Sequence, residues 1–412
     1  MSLFNALNPG YSSQGFLFQI FFVYYIKEVT MDILNFISWI RGGRVVNTVD
    51  PAKTLLPVGL KDKRRDDAYL AGAISVEDFI AQIGGGLGGT QYVFVVADGT
   101  DIENAAELQA AYVTAQGMSP SVANRITVIA APGNYNFGGI PFVMDTQYID
   151  LVSLDGNRSI VLNSANNAGT ISITADDVFV KGVDVVSKNF TIATNLMLLK
   201  VENCKGGNFS FGGQGGIAVS GTFTNCVGDA ISFGGDFGIA NGKFTNCVGG
   251  TFSFAGNAGT ASGVFTDCVG DNYSFGSDPS GLGGGDASGT FINCTGGRVS
   301  FGGATAASGV FTNCTGGASQ FGNGSFGGGF LGIASGTFSN CVAGSSAFGG
   351  GGGIASGTFT NCTGGSVSFG RFGILEGKLY YCRLTGDTFE TVTSPGITRL
   401  CIDGNNVENN QG

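Results

Sequence analysis

The sequence predicts an all-β fold, a right-handed parallel β-helix with coils of about 21 residues. First, SGTFTNCVGD (220–229) returns as NGKFTNCVGG (241–250) and SGVFTDCVGD (262–271), and a fixed period of this length is typical of a solenoid. Second, no repeat has apolar residues at helical spacing, and glycine pairs interrupt the units. Third, alternating pieces such as AISFG (230–234) and SVSFG (366–370) are typical of short strands.

Alignment of the repeats on their cysteines predicts columns of equivalent side chains along the axis of the solenoid. The cysteine column contains Cys226, Cys247, Cys268, Cys294, Cys314, Cys341 and Cys362. A phenylalanine column seven residues later contains Phe233, Phe254, Phe275, Phe301, Phe321, Phe348 and Phe369. An asparagine column one residue before the cysteine contains Asn225, Asn246, Asn293, Asn313, Asn340 and Asn361.

A second phenylalanine, three residues before the cysteine, indicates where each coil bends. Residues three apart in a strand face opposite sides, so Phe223 and Cys226 can both point inward only if the chain turns between them. Asn225 lies at that turn, and asparagine tolerates the left-handed backbone conformation that a sharp bend requires. We therefore predict that phenylalanine and cysteine form the interior, that asparagine forms the corner, and that Asp267 and Tyr381 interrupt the asparagine ladder.

The ten cysteines leave three arrangements open. Stacked Cα atoms about 4.8 Å apart fall within the disulfide range, but parallel Cβ vectors place the Cβ atoms farther apart than a disulfide prefers. A metal column is disfavoured because the chain has no histidine and no C-x-x-C motif. The sequence favours buried reduced thiols over disulfides or metal, and predicts no metal site, no cofactor and no catalytic residue.

Composition shifts divide the chain into successive regions. ENAAELQAAYVTAQG (103–117) is typical of a helix, and we expect it to cover the open end of the solenoid. GFLFQIFFVYYI (15–26) is too short to span a bilayer, and Met31 is a candidate start of translation. The predicted regions are an apolar leader of uncertain origin (1–30), a separate N-terminal segment (31–83), a glycine-rich hinge (84–89), a capping helix with irregular coils (90–203), the regular repeat (204–390) and a C-terminal cap (391–412).

Two repeats carry insertions, and these loops are the predicted binding regions. The insertions are GSDPSGLGGGDAS (276–288) and GNGSFGGGFLGIAS (322–335). Loops can change in length without disturbing the stack, so recognition residues concentrate there. An alternative is that they are glycine-rich spacers packed against a neighbouring subunit. The candidate binding residues are Asp278, Asp286, Asn323, Phe326 and Phe330.

Two stretches resemble known families. MDILNFISWIRGGRVVNTVDPAKTLLPVGLKDKRRDDAYLAGAISVEDFIAQI (31–83) resembles the N-terminal segment of structural proteins of marine tailed bacteriophages. RITVIAAPGNYNF (125–137), following the predicted helix, resembles the start of the pectate-lyase-like right-handed parallel β-helix of tailspikes, tail fibres and polysaccharide-degrading enzymes. The resemblance implies a virion component, made in the host cytoplasm, in which 31–83 binds other tail or baseplate proteins. It also implies a homo-oligomer, with a trimer favoured.

Three functions stay open at this point. A non-enzymatic tail fibre or adhesin that binds host-surface glycans is favoured by the phage-like N-terminal segment, the rigid rod and the scarcity of reactive groups. The net charge of −10 disfavours nucleic-acid binding, and the absence of histidine disfavours the usual nucleophilic triads. A polysaccharide-degrading tailspike needs two carboxyl groups about 5 to 9.5 Å apart, whereas Asp229 and Asp271 lie two coils apart. The third function is a cellular surface or ice-binding solenoid. A flat ice-binding face needs outward T-x-T in every coil, but Lys243 and Val264 interrupt that array.

Overall fold

The part of the protein that the structure describes, seen in a computed structural model, is a parallel β-solenoid with one helix between its first two strands. This confirms the predicted all-β parallel β-helix. The predicted segment 1–30 and most of 31–83 lie outside the described residues. The structure describes residues 55–61, 69–75, 89–139, 142–163, 171–185, 190–193, 196–212, 218–235, 237–256, 258–276, 285–303, 305–317, 325–327, 332–350, 352–370, 374–385, 397–403 and 408–411.

Within the predicted N-terminal segment, the structure describes an antiparallel pair of strands. Leu55–Lys61 pairs with Tyr69–Ser75, with Leu55 opposite Ser75 and Lys61 opposite Tyr69. Of the predicted hinge at 84–89, the structure describes only Gly89, the first residue of the strand Gly89–Val95.

The helix comprises Asp101–Gly117 and begins two residues before the predicted range. Thr100 forms a capping box with Glu103, which satisfies backbone N–H groups that the first turn leaves free. Leu108, Tyr112 and Ala115 are buried and form part of the core that the first strands of the solenoid complete. The helix therefore covers apolar side chains at the N-terminal end of the solenoid.

The longest run of parallel strands carries the first phenylalanine of each repeat, and we call it the phenylalanine sheet. Each three-residue strand of the regular coils buries its central residue and turns its two neighbours outward. The strands are Gly89–Val95, Arg125–Ala130, Ile149–Ser153, Phe179–Lys181, Lys200–Glu202, Thr222–Thr224, Lys243–Thr245, Val264–Thr266, Thr290–Ile292, Val310–Thr312, Thr337–Ser339, Thr358–Thr360, Lys378–Tyr380 and Ile397–Ile402. Glu408–Gln411 pairs antiparallel with the last of these, in the predicted C-terminal cap.

Two further runs of parallel strands complete each coil. One follows the cysteines and contains Gly133–Asn136, Ile160–Asn163, Val183–Val185, Lys205–Gly206, Val227–Gly228, Thr295–Gly296, Thr315–Gly316, Val342–Ala343, Thr363–Gly364 and Arg383–Leu384. In the irregular coils the other run is a three-stranded sheet of Phe142–Met144, Ile171–Ile173 and Phe190–Ile192. In the regular coils it is a separate eight-stranded sheet that precedes the phenylalanine sheet and contains Ala218–Val219, Ile239–Ala240, Thr260–Ala261, Asp286–Ala287, Ala306–Ala307, Ile333–Ala334, Ile354–Ala355 and Ile374–Leu375. These short strands give each coil three sides.

The insertions leave the register of the stack unchanged. Thr222 pairs with Lys243 in a regular coil. Val264 pairs with Thr290 across the first insertion, and Val310 pairs with Thr337 across the second. Equivalent residues therefore still lie directly above one another across both insertions.

The residues at the bends of each coil have left-handed backbone conformations, and they show that two predicted strands are turns. Asn225 has φ 53° and Asn313 has φ 53°, as the corner interpretation requires. AISFG (230–234) and SVSFG (366–370), predicted as strands, are turns instead, in which Phe233 also has a positive φ of 54°. A second corner therefore follows the cysteine, and the inward phenylalanine lies on it rather than on a strand.

Candidate functional site

The interior contains two phenylalanine columns packed against each other. Successive rings within a column stack about parallel, as between Phe265 and Phe291 at 4.8 Å. Rings of the two columns meet edge to face, as between Phe275 and Phe291 at 5.8 Å and 88°. Phe223, like the rest of these rings, is fully buried. These side chains form scaffold that no external ligand reaches.

The cysteine column is buried beside the rings, and all ten thiols are free. Each thiol in the regular coils lies within hydrogen-bonding distance of two backbone carbonyls: the Cys247 Sγ is 3.4 Å from the carbonyl oxygens of Phe223 and Thr245, and its one S–H can donate to either. Burial raises the pKa of the Cys204 and Cys247 thiols well above the ordinary value. Within the described residues no cluster of His, Cys, Asp or Glu could hold a metal ion. The thiols act as small apolar groups in the core.

The asparagine column forms the predicted amide ladder at the first corner. The Asn313 Nδ2 donates to Asn293 Oδ1 at 3.1 Å, and Asn340 Nδ2 donates to Asn313 Oδ1 at 3.1 Å. Asp267 continues the ladder on one side, where its Oδ1 accepts from Asn293 Nδ2 at 2.9 Å. A carboxylate cannot donate, so Asp267 supplies no hydrogen to Asn246 on the other side, and the ladder is interrupted there as predicted.

The five predicted binding residues do not form one site in the described part of the chain. Asp278, Asn323 and Phe330 lie outside the described residues. Asp286 is exposed, but it lies on the strand Asp286–Ala287 rather than in a loop. Phe326, a candidate binding residue of the second insertion, has a fully buried side chain, so it cannot contact an external ligand.

Phe326 also corrects the predicted phenylalanine column. Its ring stacks on Phe301 at 4.8 Å and on Phe348 at 5.0 Å, so it holds the place that was assigned to Phe321. Phe321 itself lies outside the described residues. The sequence carries a signal for this choice, because a buried serine precedes the ring in most coils and Ser325 precedes Phe326.

At the outer side of the second corner, two aromatic rings lie partly exposed. Phe252 and Tyr273 stack at 5.1 Å and 13°, one coil apart. Thr251 Oγ1 donates to Asp271 Oδ2 at 3.2 Å beside them. Asp229 holds the same position two coils away from Asp271, which corresponds to about 10 Å of strand spacing. This spacing lies just beyond the range of an inverting carboxylate pair.

A groove of about 370 Å³ opens on the phenylalanine sheet near the start of the regular repeat. Its volume falls within the usual range for small-molecule sites. Leu198 forms one wall and is 69% exposed, and Val264 forms the other and is 41% exposed. The groove is lined by Leu198, Leu199, Lys200, Gly221, Thr222, Asn241, Gly242, Lys243 and Val264.

Backbone geometry explains the floor of this groove. A Cβ on Gly242 would lie 2.6 Å from the carbonyl oxygen of Gly221, and a Cβ on Gly221 would lie 2.8 Å from that of Leu199. The coils therefore stack this closely only with glycine at that position. Because Gly221 and Gly242 carry no side chains, the surface between Leu198 and Val264 is recessed.

Two lysines border the groove, and the sequence did not predict that they lie together. Lys200 and Lys243 lie four residues before a cysteine, where their side chains point outward. Glu202, on the same face, forms an ion pair with Lys181 at 2.8 Å, whereas neither groove lysine has an ion pair among the described residues. Comparison of all outward residues at that offset would have found them.

A buried ion cluster lies nearer the N-terminal end and has a structural role. Arg125 contacts Asp150 and Asp177, each at 2.7 Å, and Asp150 also accepts from the backbone N–H of Phe179 at 2.8 Å. Burial raises the pKa of the Asp150 carboxyl above its ordinary value, and the Arg125 guanidinium opposes that rise. These contacts tie successive strands of the phenylalanine sheet together.

Comparison with known proteins adds no family assignment. No protein-family model, curated protein or solved structure matches this chain. Among the described residues, no helix combines the length and the apolar character that crossing a membrane requires.

Proposed function

We propose that this chain is a non-enzymatic, rod-like component of a phage virion, a tail fibre or adhesin that attaches to glycans on the host surface. One observation carries the proposal: the interior of the repeat is nearly invariant, whereas the outward positions of the same strands vary. The uniform interior residues fix the shape of such a scaffold, whereas its outward residues can differ from coil to coil and so fit a particular ligand.

The phenylalanine sheet illustrates the contrast. Its central position is phenylalanine in coil after coil and fully buried. The outward position next to it changes from Lys200 to Thr222, Lys243, Val264 and Thr290 in successive coils. Hydroxyl, ammonium and apolar groups at intervals of about 4.8 Å form the kind of mixed surface that hydrogen-bonds and packs against sugars.

The assignment to a virion rests on the resemblance of residues 31–83 to N-terminal segments of marine phage structural proteins. In this proposal, residues 31–83 bind other tail or baseplate proteins and the solenoid extends outward. A homotrimer is the favoured assembly.

Two measurements on the full chain test the function. Cryo-electron microscopy of purified virions would locate the chain, and binding of the purified chain to host cells and to a glycan array would test attachment. We expect the chain in the tail, with saturable binding to host cells. Absence from virions together with failure to bind host cells would refute the proposal. Release of reducing sugar from host polysaccharide would instead favour a depolymerase.

A further inference from the structure

We propose that the groove between Leu198 and Val264 binds an anionic sugar unit, one that carries a carboxylate or a sulfate ester, through Lys200 and Lys243. This inference rests on the proposed attachment function and names the class of glycan that the chain recognises. The groove lies outside both insertions, where binding residues were expected from the sequence.

The strand register sets the spacing of the two ammonium groups. Lys200 pairs with Thr222, which pairs with Lys243, so the two lysines lie in the same outward column two strands apart. At about 4.8 Å per strand, their Cα atoms are about 10 Å apart. Both flexible side chains reach the space above Thr222, where one anionic group can accept hydrogen bonds from both.

The rest of the lining suits a sugar ring. Leu198 and Val264 present exposed aliphatic surface at the two sides, against which the C–H face of a pyranose can pack. The Thr222 hydroxyl and the Asn241 amide supply hydrogen-bonding groups for ring hydroxyls. A recognition site of this kind combines apolar walls with a few polar groups that fix orientation.

Charge selects the anionic class. The chain as a whole has a formal charge of −10, so two lysines without carboxylate partners are a local exception. The neighbouring acids are engaged: Glu202 pairs with Lys181 at 2.8 Å, and Asp176 Oδ1 accepts from the backbone N–H of Met197 at 2.7 Å. The ammonium groups are therefore available to an external anion, which they attract most strongly at low ionic strength.

The test measures affinity of the full chain for three oligosaccharides by isothermal titration calorimetry. Oligogalacturonate carries carboxylates, a heparin-derived oligosaccharide carries sulfates as well, and a malto-oligosaccharide is neutral. We expect an anionic oligosaccharide to bind and the neutral one not to bind. The double variant K200Q/K243Q should lose roughly tenfold or more in affinity, the usual effect of removing hydrogen bonds to a charged group. Comparison of the two anionic probes separates carboxylate from sulfate recognition.

Lys378→Gln is the matched control. Lys378 occupies the same outward column near the other end of the repeat, between Thr358 and Ile397. Its loss should leave affinity unchanged. Equal affinity of the double variant and the wild-type chain for the anionic probes would overturn the proposal. So would neutral sugar or a single-stranded oligonucleotide binding as tightly as the anionic glycan.

The two proposals fail in different ways. If the chain binds host cells and neither anionic oligosaccharide competes, the groove proposal is wrong and the attachment function stands. If the chain binds neither host cells nor any glycan, the attachment function is wrong and the groove proposal fails with it.

Discussion

Phe291→Ala tests the central physical claim, that the solenoid is held together by continuous columns of rings. Phe291 is fully buried. It stacks on Phe265 and Phe311, each at 4.8 Å, and meets Phe275 at 5.8 Å and Phe301 at 5.6 Å edge to face. The substitution therefore removes one ring from contact with four others.

The expected loss is large. Replacing a buried phenylalanine by alanine costs about 3–5 kcal/mol, and ring pairs contribute about 0.5–1.5 kcal/mol each beyond their buried area. Backbone hydrogen bonds hold the strand of Phe291 between its two neighbours, Val264–Thr266 and Val310–Thr312. The cavity left by the ring therefore cannot easily collapse. We expect about 4–5 kcal/mol, against about 0.5 kcal/mol or less for the outward control Thr290→Ala on the same strand.

Hydrogen exchange with mass spectrometry is the suitable assay, because solenoid coils can open locally and a single free energy of unfolding does not describe them. In the Phe291→Ala chain, protection should fall most in the coil of Thr290–Ile292 and in its two neighbours. It should fall progressively less toward both ends of the repeat. If Phe291→Ala exchanges like Thr290→Ala, the ring columns do not carry the stability and the reasoning is refuted.

Three further predictions follow from the same structure. The native chain should not react with a thiol reagent, whereas the chain unfolded in guanidinium should titrate all ten thiols; rapid labelling of the native chain would contradict thiol burial. Gly289→Ala should destabilise by about 1–3 kcal/mol, because its Cβ would collide with the carbonyl of Gly263. Gly117→Ala, with open space around its Cβ, should not destabilise the chain in the same thermal unfolding assay. Arg125→Ala should cost about 3 kcal/mol or more at pH 7, since it leaves the Asp150 carboxylate buried without its partner. The folded-state pKa of Asp150 is already raised, so folding favours its protonated form, and the stability that this form contributes is lost as pH rises. The loss of stability in Arg125→Ala should therefore shrink toward pH 4. Unfolding midpoints of the variant and the wild-type chain across pH measure this.

The repeat predicts the fold well because solenoid register copies one coil onto the next. The offset between Phe223 and Cys226 predicts a bend, and the structure has a left-handed residue at Asn225 between two fully buried side chains. The column fails where an insertion begins, at Phe321 and Phe326. There, counting from the cysteine assigns the wrong ring, because an insertion placed before the ring changes the count.

The second corner could not be predicted from apolar alternation. AISFG alternates in the way that a strand does, but Ile231 and Phe233 have φ 57° and 54°, which bulky side chains seldom adopt. The surroundings stabilise this conformation: Ser232 Oγ donates to the Asp229 carbonyl at 2.7 Å, and a Cβ on Gly228 would lie 2.5 Å from that of Ser232. Such tight packing between residues four apart depends on the three-dimensional bend, which a sequence pattern does not reveal.

The position of the groove follows from a boundary between two kinds of coil. Five residues before the cysteine, regular coils have glycine, as at Gly221 and Gly242, because a Cβ there would collide with the coil below. The last irregular coil has Leu199 at that position, and Leu198 before it projects into solvent. The exposed side chain of Leu198 is thus followed by two coils with glycine, Gly221 and Gly242, at the neighbouring position. A depression forms there without any change to the interior columns. A lysine at the outward position on either side of such a step suffices to give it charge. A uniform scaffold can therefore acquire a charged depression through its outward residues alone, and this depression is where we propose that the anionic sugar binds.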